Sequence, residues 1–260
     1  MSETGVRPVK SAVHAIEILE FLAARPDEPA RMREIADATD IPRSSLYALL
    51  RTLTERGWVR RDPTGTLYGV GLRALMTGVS YLDSDPALRM VKPWLERLHE
   101  ELDETVHLGR LDGADIVYLA TRESTQYLRA INRVGRRLPA SSTSLGKAVL
   151  ALMPPERLDH HLHDPLPKLT EHTITDRAEL DAHLVGVRER GYAIDLEENT
   201  TGLKCFGFAL RYQHPVVDAI SCSVPLARLD AAREKIIVDT MTAAVAEIER
   251  GAAVSAAIGF

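Results

Sequence analysis

The sequence predicts an α+β protein in two parts, and three observations carry that prediction. Residues 1–70 read as helix, turn, helix and hairpin. Beyond residue 85, short strand-like runs are mixed with helical patterns, as expected of helices packed around one sheet. Between the two, Asp83, Ser84, Asp85 and Pro86 form a polar, proline-terminated break. A chain of 260 residues suits about two domains and is long enough to bury a proper core.

The elements follow in order. Residues 1–10 lack apolar periodicity and read as a loose arm. Residues 11–25 form an amphipathic helix, with Val13, Ile16, Leu19 and Leu22 stepping along one face. Pro26 and Pro29 bracket a loop. A short helix over 30–39 buries Met32, Ile35 and Ala36, and Asp40, Ile41 and Pro42 break it. The next helix starts at Pro42 or Arg43, because proline suits a first helical turn. It carries Leu46, Leu49, Leu50 and Leu53 at i, i+3, i+4 and i+7. After Arg56 and Gly57, residues 58–59 and 67–68 are short strands joined by a turn of Asp62, Pro63, Thr64 and Gly65. Residues 71–82 are a further helix with Leu72, Leu75, Met76, Val79 and Leu82 on one face.

The second part opens with a helix over 86–103. Strands at 106–108 and 116–119 flank the turn Asp112, Gly113, Ala114 and Asp115, and a third strand covers 127–131. Short helices follow at 145–152 and 155–161. Asp176 and Glu179 have capping-box spacing and open a helix that ends near Arg190 and Gly191. Strands at 192–196, 204–211 and 216–224 precede a long last helix over 229–250, with Ile237, Met241, Ala244 and Ile248 in register.

Composition narrows the class. Hydrophobic residues make up 45% and charged residues 27%, ordinary values for a globular chain. No apolar run approaches the ~18–20 residues of a membrane span. The polar, acidic start (Ser2, Glu3, Thr4) reads as no signal peptide. Cys205 and Cys222 read as free thiols of a cytoplasmic protein, not as a disulfide framework. Net charge is −5 but unevenly spread. Residues 1–82 hold 11 basic and 10 acidic groups, against 21 and 27 in the remainder. Between residues 41 and 61 the excess sharpens: Arg43, Arg51, Arg56, Arg60 and Arg61 face Glu55 alone. A basic stripe on an acidic chain suits a polyanion.

The first part has the order of a winged helix-turn-helix. With the leucine stripe buried, Ser44, Tyr47, Ala48 and Arg51 point outward at 100° per residue. These are small or hydrogen-bonding groups plus one fork donor suited to guanine or phosphate. Arg43, Ser44 and Ser45 lie where helix N-terminal N–H groups also favour phosphate. Arg60, Arg61 and Thr64 place the hairpin tip along a DNA backbone or minor groove. Arginine-rich helix faces are more often plain solvated surface. Here the turn, the stripe, the outward face and the hairpin agree.

The chain resembles the IclR family of bacterial transcriptional regulators. The resemblance rests on Val9, Lys10, Ser11 and Ala12 with Ile16–Leu19, on Ile35-Ala36, and on Ile41-Pro42-Arg43-Ser44-Ser45. It continues through Leu49-Leu50-Arg51-Thr52-Leu53 and Arg56-Gly57-Trp58-Val59. Later come Glu104-Thr105-Val106-His107-Leu108, Val134-Gly135-Arg136-Arg137-Leu138-Pro139, Leu145-Gly146-Lys147-Ala148, Glu197-Glu198-Asn199 and Ala219-Ile220-Ser221-Cys222-Ser223. It spans nearly the whole chain in order. It implies a winged helix-turn-helix DNA-binding domain (1–70), a linker helix (71–84) and a GAF-like α/β effector-binding domain (85–260). It further implies a homodimer formed through the N-terminal region, or a dimer of dimers, on a roughly palindromic double-stranded operator. One departure lies at Asp40, where members often have glycine; aspartate tolerates left-handed φ better than most residues.

The second part reads as a sensor. Ser141, Ser142, Thr143 and Ser144 enter a helix at Leu145, and free backbone N–H groups there suit a carboxylate. The resemblance implies that a small acid binds the backbone of Ser144 and Leu145, with Asp195, Cys205, Ser221 and Ser223 lining the pocket. Ser221 and Ser223 alternate along a strand and so share a face. Leu128 and Ile131 supply an apolar wall. Leu145 is bulkier than the alanine of some members. An aspartate beside a carboxylate favours a hydroxylated acid or a neutral amide. The same serines also suit helix caps and sheet packing.

Catalytic and metal patterns are weak. Ser144-Leu145-Gly146-Lys147 has S-x-x-K form, but no K-T-G or G-x-S-x-G accompanies it. His160, His161, His163, Glu171 and His172 lack the spacing of a metal motif and read as a surface patch. Adjacent Glu197 and Glu198 point to opposite faces of a strand, as a solvated edge or an ion pair. Asn199-Thr200-Thr201 matches a glycosylation sequon, without consequence in the cytoplasm. No cofactor or metal is implied. The expectation is a non-enzymatic, ligand-responsive regulator of a catabolic operon. The alternative is a small-molecule hydrolase or sensor with a structural N-terminal helical unit, whose turnover would depend on Ser144 or Cys205.

Overall fold

A computed structural model describes residues 7–25 and 27–258, and the chain divides into two compact units, Met1–Ser84 and Asp85–Phe260. Residues 1–6 of the expected loose arm, and Pro26 of the expected loop, lie outside the described residues.

In the first unit, α1 (Lys10–Ala23) precedes a two-residue strand β1 (Ala30–Arg31) and α2 (Met32–Thr39). The helix expected from residue 30 thus starts two residues later. Ala30 and Arg31 pair instead with β3 (Leu67–Val70), and the Arg31 N–H donates to Glu34 Oε2 at the start of α2 (2.7 Å). Asp40 takes the left-handed conformation at φ 49°, so an aspartate does make the turn into α3 (Arg43–Glu55). β2 (Val59–Arg61) and β3 form the wing; Trp58 precedes the strand. The core gathers Ile18, Leu22, Ile35, Leu46, Leu50, Val59 and Tyr68.

Two expected stripes behave differently. On α1, Ile18 and Leu22 are buried, whereas Val13 and Ile16 (55% exposed) face out. The apolar residues of α1 therefore cover two sides of the helix, and only one is used by this core. Along α4 (Leu72–Ser84) no residue is buried; Leu75 is 61% and Met76 57% exposed.

The second unit is built on one antiparallel six-stranded sheet. Its strands are β4 (Thr105–Asp112), β5 (Asp115–Arg122), β6 (Arg137–Pro139), β7 (Ala193–Leu196), β8 (Leu203–Ala209) and β9 (Asp218–Pro225), in spatial order 6-5-4-9-8-7. The strand expected at 127–131 does not form. Tyr127, Leu128 and Ile131 are exposed, and the segment is tethered by side chains instead of a ladder. Gln126 Nε2 donates to Asp103 Oδ2 (2.6 Å), and Thr105 Oγ1 donates to the Ala130 carbonyl (3.0 Å). The edge of β5 is taken by β6, with Ile116 opposite Leu138.

The helices α5 (Pro86–Leu102) and α9 (Ala231–Ile258) bury Val91, Leu95, Leu98, Ile237, Met241, Ala244 and Ile248. Also present are α6 (Ser144–Leu150), α7 (Pro155–Leu158) with a 3-10 turn over Asp159–His161, and α8 (Arg177–Arg190). Asp85 caps α5 through Leu88 N–H, and Asp176 caps α8 through Glu179 N–H. A second core joins α6 and α8 to the sheet through Leu145, Val149, Leu180, Leu184, Ile116 and Ala193.

The approach of α6 to β8 is set by Gly207. A Cβ there would fall inside the backbone of Ser144 and within 2.8 Å of Leu145 N. Gly207→Ala should therefore unseat α6 and lower stability by about 2–3 kcal/mol, as overpacking at a fixed backbone does. Urea unfolding should show the loss as a lower midpoint at unchanged slope. An unshifted midpoint would mean that α6 is free to move away.

Candidate functional site

The exposed face of α3 is made by its own stripe. Leu46 and Leu50 are fully buried and Leu49 and Leu53 pack beside them, so Arg43, Ser44, Ser45, Tyr47 and Arg51 are all exposed. Tyr47 and Arg51 share a shallow groove of about 270 Å³ with Arg61 and Tyr68 of the wing. Helix face and hairpin are thus brought together. Arg51 Nε donates to Glu55 Oε1 at 2.8 Å, a fully exposed i, i+4 pair that water and salt readily replace.

The hairpin residues have local duties. Arg61 Nε donates to the Gly65 carbonyl (2.5 Å), and its guanidinium lies over the Tyr68 ring. Asp62 organises the turn by accepting from Thr64 and from the Thr66 and Leu67 N–H groups at 2.8 Å. The Thr64 hydroxyl bond and the Leu67 N–H bond hold its carboxyl near 2. Gly65 sits at φ 74°, which closes the turn. Arg60 lies along Gly69. A second groove, of about 470 Å³, holds Arg56 and Arg73 with Trp58, Met76, Thr77 and Ser80. Arg73 has no signal in the sequence beyond its charge.

In the second unit a cavity of about 440 Å³ opens on one face of the sheet. Five expected residues line it: Leu128, Ile131, Asp195, Cys205 and Ser223. Ser144, Leu145 and Ser221 are buried but are not among its lining residues. The first turn of α6 is instead closed over Gly207, and Thr143 Oγ1 caps it by accepting the Gly146 N–H (3.0 Å). Sequence reasoning overlooked Tyr118, Asn132, Arg136 and Asn199, which also line the cavity. Arg136 and Asn199 stand inside the runs that carry the family resemblance.

A buried ion pair underlies the cavity. Lys147 of α6 is 0% exposed and donates to Glu198 Oε1. Burial pushes the lysine below its usual range and Glu198 opposes the shift. Of the two expected readings of Glu198, the ion pair holds. The two glutamates do not lie on a strand, because β7 ends at Leu196 and Glu197 turns away at φ 60°. Thr170 and Thr173 pin the loop by donating to the Glu197 and Glu198 carbonyls, both at 2.6 Å. Asp195 Oδ1 accepts the N–H groups of Glu198 (2.8 Å) and Asn199 (3.3 Å). Burial still pushes its carboxyl up to about 7, against the pull of Lys147. Cys205, opposite Ser223 in the ladder and hydrogen-bonded to it, is raised by burial too, so its thiol stays protonated.

His107 stacks edge-on against Tyr118, and its Nδ1 meets Thr121 Oγ1 at 3.0 Å. Burial, then the charge of Arg136, lowers its pKa to about 3. The histidine patch is dispersed among separate partners. His161 Nδ1 donates to the Gly113 carbonyl, His163 meets Asp115 at 2.7 Å, and His172 lies 3.7 Å from Glu197. Among the described residues no three potential ligands are grouped to hold a metal ion, and no helix is long and apolar enough to cross a membrane.

Asp195 and His107 pull stability in opposite directions over one pH window. The Asp195 contribution is complete below 3.8 and is lost as pH rises through about 7. The His107 contribution is complete above 6.5 and is lost as pH falls toward 3. Asp195→Asn should remove the first, so the variant gains stability more steeply from pH 5 to 7. Urea unfolding should show a difference of about 2 kcal/mol in that gain. Parallel profiles for variant and wild type would mean that Asp195 titrates normally.

Comparison with known proteins agrees across both units. A family model described as the IclR helix-turn-helix domain matches residues 11–63, and one described as bacterial transcriptional regulator IclR C-terminal matches residues 79–250. The transcriptional repressor IclR of Escherichia coli is 32% identical over 85% of this chain and 82% of its own. The regulator XynR of the same organism is 30% identical over 86% and 89%. The crystal structure of Thermotoga maritima IclR superposes with a TM-score of 0.68 at 28% identity, covering 94% of this chain and 98% of that one.

Proposed function

The chain belongs to the IclR family of bacterial transcriptional regulators, and from that premise we propose that it controls a catabolic operon from the cytoplasm in response to a small organic acid. Its relatives are DNA-binding regulators and not enzymes. The finer reading divides the chain into a winged helix-turn-helix over 1–70, a linker helix over 71–84 and a GAF-like effector-binding domain over 85–260.

The observation that carries the DNA reading is the face of α3. Its leucines are spent on the core, and what remains outward is Arg43, Ser44, Ser45, Tyr47 and Arg51, with Arg61 in the same groove. Arg60 and Thr64 extend the contact along the hairpin. Serines and a fork donor at the start of a helix suit phosphate and base edges in a major groove. The effector reading rests on the cavity at Leu128, Ile131, Asp195, Cys205 and Ser223. Its volume falls in the range of about 300–1,000 Å³ usual for small-molecule sites. Ser144, Leu145 and Ser221 are buried and are not among its lining residues.

A homodimer, or a dimer of dimers, fits the unused apolar surface of the first unit. Val13 and Ile16 of α1 and Leu72, Leu75, Met76 and Val79 of α4 are all exposed. Two heads on a two-fold axis read a roughly palindromic operator. Leu75→Glu with Val79→Glu should turn the protein monomeric in sedimentation velocity; an unchanged mass would place the interface elsewhere.

Ser44→Ala with Arg51→Ala should weaken binding to the operator at least about 100-fold, since each good base contact is worth ~1–3 kcal/mol. Fluorescence anisotropy against duplex from upstream of the coding region, beside a scrambled duplex at two salt concentrations, measures it. The thermal midpoint should stay put, because both side chains are exposed. Unchanged operator affinity would remove α3 as the recognition helix.

A further inference from the structure

We propose that Arg136 is the carboxylate anchor of the cavity, and that the ligand is a monocarboxylic acid with an apolar body and one hydrogen-bonding group at the Asp195 end. This rests on the reading of the cavity as the effector site.

Arg129 and Arg136 line the cavity, and Arg228 follows its lining residue Ala227; Arg129 and Arg228 are neutralised. Arg129 pairs with Glu123 at 3.0 Å. Arg228 pairs with Glu104 at 2.6 Å while donating to the Leu128 carbonyl. Arg136 is half-buried, and among the described residues it is in no ion pair. Its one side-chain bond is neutral, from Nη1 to Asn132 Oδ1 at 2.7 Å. A guanidinium withdrawn from water beside an apolar wall favours an anion, because burial without a counter-charge is costly. Its planar fork suits a carboxylate.

Two neighbouring features that could attract an anion are already engaged. The first turn of α6, seven residues long, is seated on Gly207 and capped by Thr143. Lys147 is taken by Glu198. Arg136 is thus the unpaired cation of the cavity among the described residues.

The far end carries opposite chemistry. Asp195, Cys205 and Ser223 present a carboxyl, a thiol and a hydroxyl. Asn199 Nδ2, also at the cavity, is buried with no hydrogen-bond partner among the described residues. Tyr118, also lining the cavity, is within electrostatic range of both Arg136 and Asp195. A second carboxylate would meet Asp195, whereas a hydroxyl or carbonyl finds donors and acceptors. Leu128, Ile131, Leu203 and Leu226 supply the apolar walls.

Calorimetric titration of the full chain tests this with acid and amide pairs: benzoate and benzamide, 4-hydroxybenzoate and 4-hydroxybenzamide, hexanoate and hexanamide. Adipate serves as the dicarboxylate. At least one acid should bind about 10- to 100-fold tighter than its amide, the worth of a charge-assisted hydrogen-bond pair, and hexanoate should exceed adipate. Arg136→Gln keeps a donor for Asn132 and should erase the preference for acid over amide; Arg136→Lys should restore part of it. Leu128→Trp, which fills the cavity mouth, should abolish binding of all probes. An acid preference that survives in Arg136→Gln while Leu128→Trp blocks binding overturns the anchor and leaves the cavity reading intact. Binding that survives in Leu128→Trp overturns the cavity reading itself. A wild-type protein that takes none of these acids overturns the ligand class.

Discussion

The buried contact between Lys147 and Glu198 sets the electrostatics of the second unit. Taking an ammonium wholly out of water is unfavourable unless a counter-charge goes with it. Lys147 is on α6 and Glu198 is on the loop after β7, so the pair clamps that loop to the helix. It also consumes the one buried lysine near Asp195. Burial pushes the Asp195 carboxyl up to about 7, because the pull of Lys147 is opposed by the charge of Glu198 and the backbone donors only partly compensate. The cavity presents a near-neutral acid, Asp195, and a guanidinium, Arg136, that is in no ion pair among the described residues. Removing either partner of the clamp would strand a buried charge, at a cost of about 3–5 kcal/mol. The loop that presents Asn199 to the cavity would come loose with it.

The first unit uses charge in the opposite way. Arg51 and Glu55 form an exposed pair, and such pairs contribute about 0–1 kcal/mol. Little holds the Arg51 guanidinium to that carboxylate. Stability there comes from Ile18, Ile35, Leu46 and Leu50, all at or near zero exposure. The polar face of α3 is therefore free to be selected for recognition. The hairpin differs, because Arg61, Asp62 and Thr64 first build their own turn. Arg61 both builds that turn and lines the groove with Tyr47 and Arg51.

Much of this was legible in the sequence, and the reasons are physical. The order of elements in the first unit follows from one leucine stripe and two breaks, each strongly encoded. Asp40 could be assigned its turn because aspartate reaches left-handed φ cheaply. Ala30 and Arg31 could not be assigned to a strand, since two residues hold no periodicity and their partner lies beyond residue 66. The segment 127–131 misled because apolar residues alone cannot show whether a neighbouring edge is already taken. Leu128 and Ile131 were nonetheless found, as they line the cavity from a loop. The pairing of Lys147 with Glu198 spans 51 positions and leaves no local trace. Arg136 was hidden for the same reason, because an unpaired charge is visible only once every other charge has found its partner.

An effector can change DNA affinity only by binding two arrangements of the protein unequally. The cavity residue Ser223 and the ion-paired Asp218 belong to the same strand, β9. Asp218 accepts from Arg110 at 2.6 Å and from Tyr212 at 2.5 Å, and Arg110 also holds Asp85, the first residue of the second unit. Ser223, at the cavity, and Asp218, in the charged cluster with Arg110 and Asp85, are thus five residues apart on one strand. The cluster therefore ties the strand that lines the cavity to Asp85, the residue at which the second unit begins.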